Sequence, residues 1–178
     1  MADIKPFNPV KLICGLLASQ KDIFTQTRRC LEDEFGLVDH SSPLYEFTYT
    51  DYYEKQMGIG LKRQFLSFSD LINPEQLSHI KIRTNELEEV IRIKSKARQR
   101  IINIDPGYMS ASALTMATVK DFSHRIPLQN GIYAHLELQF LKNGIKTLSW
   151  TYPDFKTEIY HSLFLDVRKT YLAQLRQS

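Results

Sequence analysis

Residues 124–150 have the sequence HRIPLQNGIYAHLELQFLKNGIKTLSW, and this stretch decides the fold class. Asn130-Gly131 and Asn143-Gly144 are dipeptides that favour type I′ hairpin turns, and each lies between runs of alternating apolar and polar residues. The stretch therefore predicts a three-stranded antiparallel meander over about 124–150.

Strict alternation would sort the side chains of the central strand onto two faces. The face expected to pack on helices carries Ile132, Ala134, Leu136, Leu138 and Phe140. The more polar face carries Tyr133, His135, Glu137 and Gln139. If Asn130-Gly131 is a two-residue turn, His124 lies opposite Glu137 and Trp150 lies beside Glu137; a turn one residue longer would break this pairing.

The chain before the meander begins with a strand and a helix. Val10 to Ala18 is almost entirely apolar and predicts a buried strand. Ser19 is a candidate N-cap for a helix that ends at Gly36. This β–α opening favours a layered α/β fold.

The middle of the chain predicts short elements separated by turn signals. Asn73-Pro74 should begin a short helix, Ile80 to Arg83 a brief strand, and a capping box at Asn85 a helix as far as Lys94. Gln99 to Ile104 predicts a buried strand that ends in an Asp-Pro-Gly turn. Residues 114–119 could be strand or helix, and a helical turn followed by a strand is favoured.

Pro153 to Leu175 has apolar residues every four positions and predicts a long amphipathic helix. No linker or low-complexity tract interrupts the 178 residues, so we expect a single domain over 1–178. The predicted fold class is α/β (α+β), with a mixed sheet whose C-terminal antiparallel meander packs on helices, including the long C-terminal helix.

The composition indicates the cellular compartment in which the protein is expected. Cys14 and Cys30 lack metal-type spacing and suggest unpaired thiols in a reducing cytoplasm. No apolar run approaches the length of about 20 residues that crosses a membrane, so a cytoplasmic protein is expected. The sequence leaves open whether the chain forms a homo-oligomer.

A basic strip occupies residues 92–100, with five Lys or Arg residues and no acid. Such a strip could attract phosphate groups, including those of RNA. Cations are equally favoured at the C-terminal end of a helix, which would make the strip a solvated helix end.

Polar and charged residues are densest between Asn103 and Arg125. Lys120 and Arg125 would make a phosphate clamp, since arginine offers paired hydrogen bonds to phosphate oxygens. Asp105 and Tyr108 follow a predicted strand end, where α/β sheets commonly bind ligands. An ordinary charged turn accounts for the same residues equally well.

The predicted pairing of His124 with Glu137 also has two interpretations. A carboxylate that orients an imidazole could form a general acid/base pair, with Asp121 as a third catalytic candidate. Tyr133 shares the face of Glu137 and is a candidate ligand-binding residue. The pair could also be a cross-strand polar contact with a modest stabilising role.

Several motifs with well-defined chemistry are absent from the sequence. It has no GxxxxGK[ST] phosphate loop, no GxGxxG fingerprint and no GxSxG nucleophile elbow. The histidines show no metal-ligand spacing, so no metal site is predicted. No cofactor can be named from these residues.

Certain stretches are distinctive in combination. They include TDYYE at 50–54, NIDPGY at 103–108, KDFSHRI at 120–126, GIYA at 131–134 and TYPD at 151–154. With these stretches the chain, from 11 to about 171, resembles an uncharacterised bacterial family, a domain of unknown function whose members are sometimes labelled GTP-binding protein. The resemblance implies no activity and no catalytic residues. The lysine of TVKD at 118–121 is displaced by one position from the guanine-reading N/T-K-x-D motif, so the label finds no support in these residues.

Three hypotheses about function follow. The chain could bind, and possibly turn over, a phosphate-bearing small molecule or nucleotide in a pocket built from 103–125 and Glu137. It could instead be a non-catalytic module that binds RNA or protein through the strip 92–100. In the third, the same residues are purely structural. Whether the protein is an enzyme stays open.

Overall fold

The computed structural model describes residues 3–177, which form one sheet with helices on both faces. The strands are β1 Val10–Ala18, β2 Val38–Ser41, β3 Tyr45–Glu46, β4 Lys62–Ile72, β5 Asn103–Met109, β6 Ala113–Thr118, β7 Ile126–Pro127, β8 Tyr133–Leu141 and β9 Gly144–Thr147. The helices are α1 Lys21–Phe35, α2 Glu54–Met57, α3 Leu77–Lys94 and α4 Glu158–Leu175, with 3-10 turns at Pro74–Gln76 and Asp154–Lys156. Over the same residues, no helix is both long enough and apolar enough to cross a membrane.

The strands follow the order β2-β4-β1-β5-β6-β8-β7, with β3 added to β4 and β9 added to β8. The expected fold class and long C-terminal helix are confirmed. The sheet is not mixed, however, because every pairing among the described strands is antiparallel. The meander also differs, since β7 and β9 share one edge of β8 while β6 takes the other.

The core has two layers because both faces of the sheet are covered. On one face β1, β4 and β5 pack against α1 and α3, with Leu12, Leu16, Phe68, Ile91 and Ile104 among the buried residues. On the other face β1, β4, β6 and β8 pack against α4, with Ile13, Phe65, Met116, Leu138 and Phe164 among them. Burial on both sides explains why β1 is almost wholly apolar.

Several local predictions from the middle of the chain are wrong. Ile80–Arg83 and the capping box at Asn85 lie inside α3, where buried residues at helical spacing along one face outweigh the β-branched and capping signals. Residues 114–118 lie in strand β6 throughout. Helix α1 begins after Gln20 rather than Ser19, and Gly36 ends it as expected. The predicted helix start at Asn73-Pro74 is confirmed, with a capping box.

The first hairpin of the meander has a turn of three residues instead of two. Leu128 N–H donates to the Ile132 carbonyl over 2.8 Å, and β7 pairs Ile126 with Ala134. Asn130 and Gly131 adopt the positive φ angles, 57° and 74°, that their sequence favours. The extra residue shifts the register by one, so His124 does not lie opposite Glu137.

A β-bulge at Glu137 changes which side chains of β8 share a face. Thr115 of β6 pairs with Leu136, but Leu114 pairs with Leu138, which leaves Glu137 as the extra residue. Leu138 consequently packs on the same face as His135, the face of α4. The predicted division of β8 into one apolar and one polar face is therefore wrong.

Candidate functional site

A cavity of about 500 Å³ opens where β5 and β6 separate. The β5–β6 pairing extends from Met109 only to Gly107, whereas β5 continues beside β1 as far as Asn103. Pro106, the next residue, has no N–H to donate to a ladder. The Asp-Pro-Gly segment predicted as a turn thus lies inside β5, at the point where the sheet forks.

The cavity is lined by elements from both faces of the sheet. Its aromatic lining residues are Phe47, Tyr49, Tyr52, Tyr53, Tyr152 and Phe155. Its charged lining residues are Arg63, Lys81, Arg100, Lys120, Asp105 and Asp154. Four of the described lining side chains are thus basic and two are acidic, so the lining carries a net positive charge when all six are ionised.

Arg63 is a buried cation between two carboxylates. Its Nη1 lies 3.5 Å from Asp105 Oδ2 and its Nη2 lies 3.5 Å from Asp154 Oδ2. Burial would lower the pKa of Arg63, but Asp154 and Asp105 raise it. The guanidinium also lies over the Phe47 ring, 4.9 Å from its centroid, and Gly15 on β1 leaves room for it. Arg63 is therefore held as a permanent charge at the base of the cavity.

The two carboxylates respond differently to this environment. Burial raises the pKa of Asp154, and Arg63 opposes that shift. At Asp105 burial also acts to raise the pKa, but Lys81 and Arg63 lower the pKa by more than burial raises it, so the net shift is downward. The Lys81 ammonium lies 3.6 Å from Asp105 and donates to the Ile104 carbonyl over 2.9 Å. Two carboxyls with opposite pKa shifts thus flank one guanidinium.

Arg100 is fixed at the edge of the cavity by a second ion pair. Its Nε and Nη2 donate to Glu88 Oε2 over 2.9 and 2.6 Å, and its Nη2 also donates to Asn103. Glu88 in turn accepts from the Ile104 N–H over 2.6 Å. Burial raises the pKa of Glu88 and Arg100 opposes that rise.

The segment between β3 and β4 carries the tyrosines that border the mouth of the cavity. Tyr52 packs edge-on against Tyr53, with ring centroids 5.1 Å apart, and burial raises the pKa of Tyr53. The Lys120 ammonium lies 4.1 Å from the centroid of the Tyr52 ring. This cation–π contact joins the tyrosine segment to the loop after β6.

The bulge residue Glu137 lies outside the cavity lining but contacts two residues that belong to it, His135 and Tyr152. Glu137 is fully buried, and its Oε1 accepts from the Tyr152 N–H over 2.6 Å. Its Oε2 lies 2.8 Å from Nε2 of His135, a contact without hydrogen-bond geometry. His135 also accepts from Arg125 Nε over 3.3 Å and stacks on Tyr152. The bulge thus places a carboxylate behind the imidazole that lines the cavity.

His124 lies outside the lining as well. Its ring stacks on Trp150, with centroids 4.9 Å apart and planes 9° apart, and packs edge-on against His135. Loss of solvent lowers the pKa of His124, and His135 and Arg125 lower it further. His135, rather than His124, is the imidazole that lies next to the Glu137 carboxyl group.

The predicted site residues are brought together only in part. Asp105 and Lys120 line the cavity, and Arg125 supports it by donating to the Lys120 carbonyl over 2.7 Å and to the Tyr152 hydroxyl over 2.9 Å. Tyr108, Asp121, His124, Tyr133 and Glu137 lie outside the lining. Of these, Tyr108 packs with Leu77 and Ile132 on the α3 side of the sheet, Asp121 is exposed, and Tyr133 pairs with Thr118.

Two important cavity residues, Arg63 and Lys81, were missed because each lies within an element that otherwise looked structural. Arg63 lies on the inward face of β4, in line with the buried Phe65 and with Leu61 just before the strand, and Lys81 lies on the buried face of α3. A basic residue at a position where the hydrophobic period demands an apolar one was the available signal.

Part of the strip 92–100 is committed to local ion pairs. Arg92 pairs with Glu89 over 2.6 Å, and Arg100 pairs with Glu88. Lys94, Lys96 and Arg98 are exposed.

The buried carboxylate of Glu137 can be tested by an isosteric change. Glu137→Gln should lower the free energy of unfolding by about 1–2 kcal/mol, because a neutral oxygen replaces a charged acceptor for Tyr152 N–H. Urea unfolding would measure the loss. Glu46→Gln makes the same chemical change at an exposed position on β3 and should cost less than about 0.5 kcal/mol. Equal losses in the two variants would contradict a structural role for Glu137.

No cluster of three or more His, Cys, Asp or Glu side chains able to hold a metal ion occurs within residues 3–177. Cys14 is buried and Cys30 half-buried, both as free thiols.

The fold and site define an α/β domain with a charged, aromatic-lined cavity at a fork in an antiparallel sheet. The family model of DUF4416, a domain of unknown function, matches residues 8–171. The chain therefore belongs to the DUF4416 family, which confirms the family resemblance found in the sequence. Neither the curated proteins nor the solved structures include a significant match.

Proposed function

We propose that the protein binds a phosphate-bearing small molecule or nucleotide in the cavity at the β5–β6 fork. The observation that supports this most is the lining itself, in which basic side chains outnumber carboxylates beside a set of aromatic rings. A volume of about 500 Å³ lies in the range of small-molecule sites.

The electrostatics favour an anionic ligand over a cationic one. Asp105 and Asp154 already face Arg63, and Lys81 faces Asp105, so these carboxylates are committed within the wall. The Lys120 ammonium has a cation–π contact with Tyr52 and no ion pair or hydrogen bond with the described residues. Its positive charge at the mouth is available to a phosphate group.

A role in proton transfer for His124, Glu137 and Asp121 stays a prediction. His135 contacts Glu137 and lines the cavity, so it is the better placed imidazole for such a role. Binding is the function for which the geometry argues, and catalysis would need a bound substrate within reach of His135 or Asp105.

The proposal is tested by a thermal-shift screen with nucleotides, sugar phosphates and inorganic phosphate. A compound at about 100 times its Kd should stabilise the protein by about 2.7 kcal/mol and raise its Tm. Lys120→Ala should reduce the shift, whereas Lys94→Ala, a lysine of the basic strip, should leave it unchanged. The Tm of each variant without ligand controls for folding.

Two outcomes would contradict the proposal. One is a screen in which no phosphorylated compound raises the Tm. The other is a shift abolished by Lys94→Ala and not by Lys120→Ala, which would assign the anion to the strip. A shift with RNA alone, weakening steeply with salt, would favour the RNA-binding alternative.

A further inference from the structure

A second, shallower cavity of about 350 Å³ adjoins the first. Its lining residues are Lys55, Gln56, Gln99 and Arg100. Arg100 lines both cavities, so the two lie next to each other at this residue. We call the larger cavity at the β5–β6 fork the inner cavity and the second one the outer cavity.

The two cavities differ in chemistry. The outer cavity presents two cations and two amides, and none of its described lining residues is acidic or aromatic. The inner cavity contains the aromatic rings, the two carboxylates, Arg63 and Lys81, which face those carboxylates, and Lys120 at its mouth. A flat ring therefore fits the inner cavity, and an anionic group fits where the two cavities share Arg100.

Hydrogen bonds within the protein fix the position of the Arg100 guanidinium and leave part of it available to an anion. Its Nε and Nη2 are used by Glu88, Asn103 and the Ile102 carbonyl. Its Nη1 donates no hydrogen bond to any residue of the described chain, so both of its N–H groups remain available. A guanidinium fixed on one side by its own protein loses little freedom when it binds an anion on the other.

Lys55 supplies the second charge. It is exposed on α2 and forms no ion pair within residues 3–177. The outer cavity thus has two cations, of which Arg100 is already paired with Glu88 and Lys55 is not paired with any described acid.

We propose that the ligand is a nucleotide, held with its base among the aromatic rings of the inner cavity and its phosphates on Arg100 and Lys55 of the outer cavity. This inference rests on the proposed function and narrows it, because it excludes a simple sugar phosphate as the preferred ligand. Stacking on aromatic side chains contributes about tenfold or more in affinity per base and tolerates any base, since every base has a π-face.

Titration calorimetry on the full chain tests separately where the base and where the phosphates of the nucleotide bind. The probes are the common nucleoside 5′-triphosphates, the corresponding nucleosides and ribose 5-phosphate. Lys55→Ala should weaken nucleotide binding about fivefold and leave nucleoside binding unchanged. Tyr52→Ala should weaken both. Ribose 5-phosphate should bind at least about tenfold more weakly than the nucleotide.

Two further variants sharpen the test. Arg100→Lys keeps the charge but loses the fork, and should weaken nucleotide binding while its Tm without ligand reports any damage to the Glu88 pair. Lys142→Ala removes an exposed lysine at the β8–β9 turn and should bind every probe like the unaltered protein.

Each contrary outcome has a distinct meaning. If Lys55→Ala and Lys142→Ala bind the nucleotide equally well, or if Lys55→Ala weakens the nucleoside as much as the nucleotide, the assignment of the phosphates to the outer cavity is overturned. If ribose 5-phosphate binds as tightly as the nucleotide, the base assignment is overturned and the proposed function stands. If no nucleotide and no sugar phosphate binds, both the inference and the proposed function fail.

Discussion

Replacing Arg63 with methionine is expected to lower the free energy of unfolding by about 3–5 kcal/mol at pH 7. The guanidinium is almost fully buried and faces Asp105 and Asp154, which would be left without it inside the fold. Methionine fills a similar volume, so the loss would report the stranded carboxylates rather than an empty space.

The loss of unfolding free energy in Arg63→Met, called the deficit below, should depend on pH in a defined direction. The pKa of Asp154 is raised by burial and held down by Arg63, so removing Arg63 raises it further. A carboxyl whose folded pKa lies above its unfolded value costs stability as the pH rises above the unfolded value, near 3.8 for Asp. The pKa of Asp105 is lowered in part by Arg63, and that stabilisation above pH 4 would also shrink. The Arg63→Met deficit should therefore be larger at pH 7 than at pH 4.

Urea unfolding of Arg63→Met at pH 4, 5.5 and 7 measures both statements. The neighbouring Lys62→Met is the matched control, because Lys62 is 39% exposed and its pair with Glu46 lies at the surface. It should cost less than about 1 kcal/mol at every pH. A pH-independent deficit for Arg63→Met would mean that lost packing, and not charge, accounts for its effect.

The sequence predicted those parts of the fold that local patterns determine. Val10–Ala18 is apolar throughout because it is covered on both faces, and Gly36 ends a helix through its positive φ of 90°. Both hairpins form near the predicted dipeptides, and Asn130 and Gly131 are among the residues that adopt positive φ at low cost. In the second hairpin, however, Leu141 pairs with Gly144, so the turn is Lys142-Asn143 rather than Asn143-Gly144, and Trp150 does not lie beside Glu137 as predicted. These signals act between residues close in the chain, so a single sequence carries them.

Register and clustering were harder to predict because small local changes have distant effects. The extra residue in the 129–131 turn moves His124 out of register with Glu137, and the bulge at Glu137 places Leu138 on the face of His135. The stretch from His135 to Phe140 alternates without interruption, so its pattern contains no sign of the bulge.

Only part of the cavity lining was predicted from the sequence, because its other residues come from distant parts of the chain. Asp105 and Lys120 belong to the polar stretch that the sequence singled out, and both line the cavity. Arg63 and Lys81 come from β4 and α3, which are distant in the chain, and meet Asp105 only after the sheet has formed. Their charges within apolar patterns were visible, but the partner that explains them was not.

Gly107→Ala is expected to lower the free energy of unfolding by about 3 kcal/mol or more. A Cβ at this position would lie 2.5 Å from the carbonyl oxygen of Thr115 and against the sulfur of Met116. The Thr115 oxygen belongs to the backbone of β6, so the clash can be relieved only by moving one strand away from the other. Gly107 is also the last β5 residue paired with β6 before the fork.

The same displacement should reach the cavity, because residues 116–118 of β6 form part of its wall. Gly15→Ala provides the comparison: its Cβ would lie 3.2 Å from the Phe65 ring and 3.3 Å from Arg63 Nη1, both side-chain atoms rather than backbone, which need to move far less than the Thr115 carbonyl at Gly107. We expect this control to cost about 1 kcal/mol. Urea unfolding gives the two losses, and hydrogen exchange at the amides of β6 should rise in Gly107→Ala alone. If the two variants lose equal stability and show equal hydrogen exchange at the amides of β6, close approach of β5 and β6 at Gly107 does not hold the fork in place.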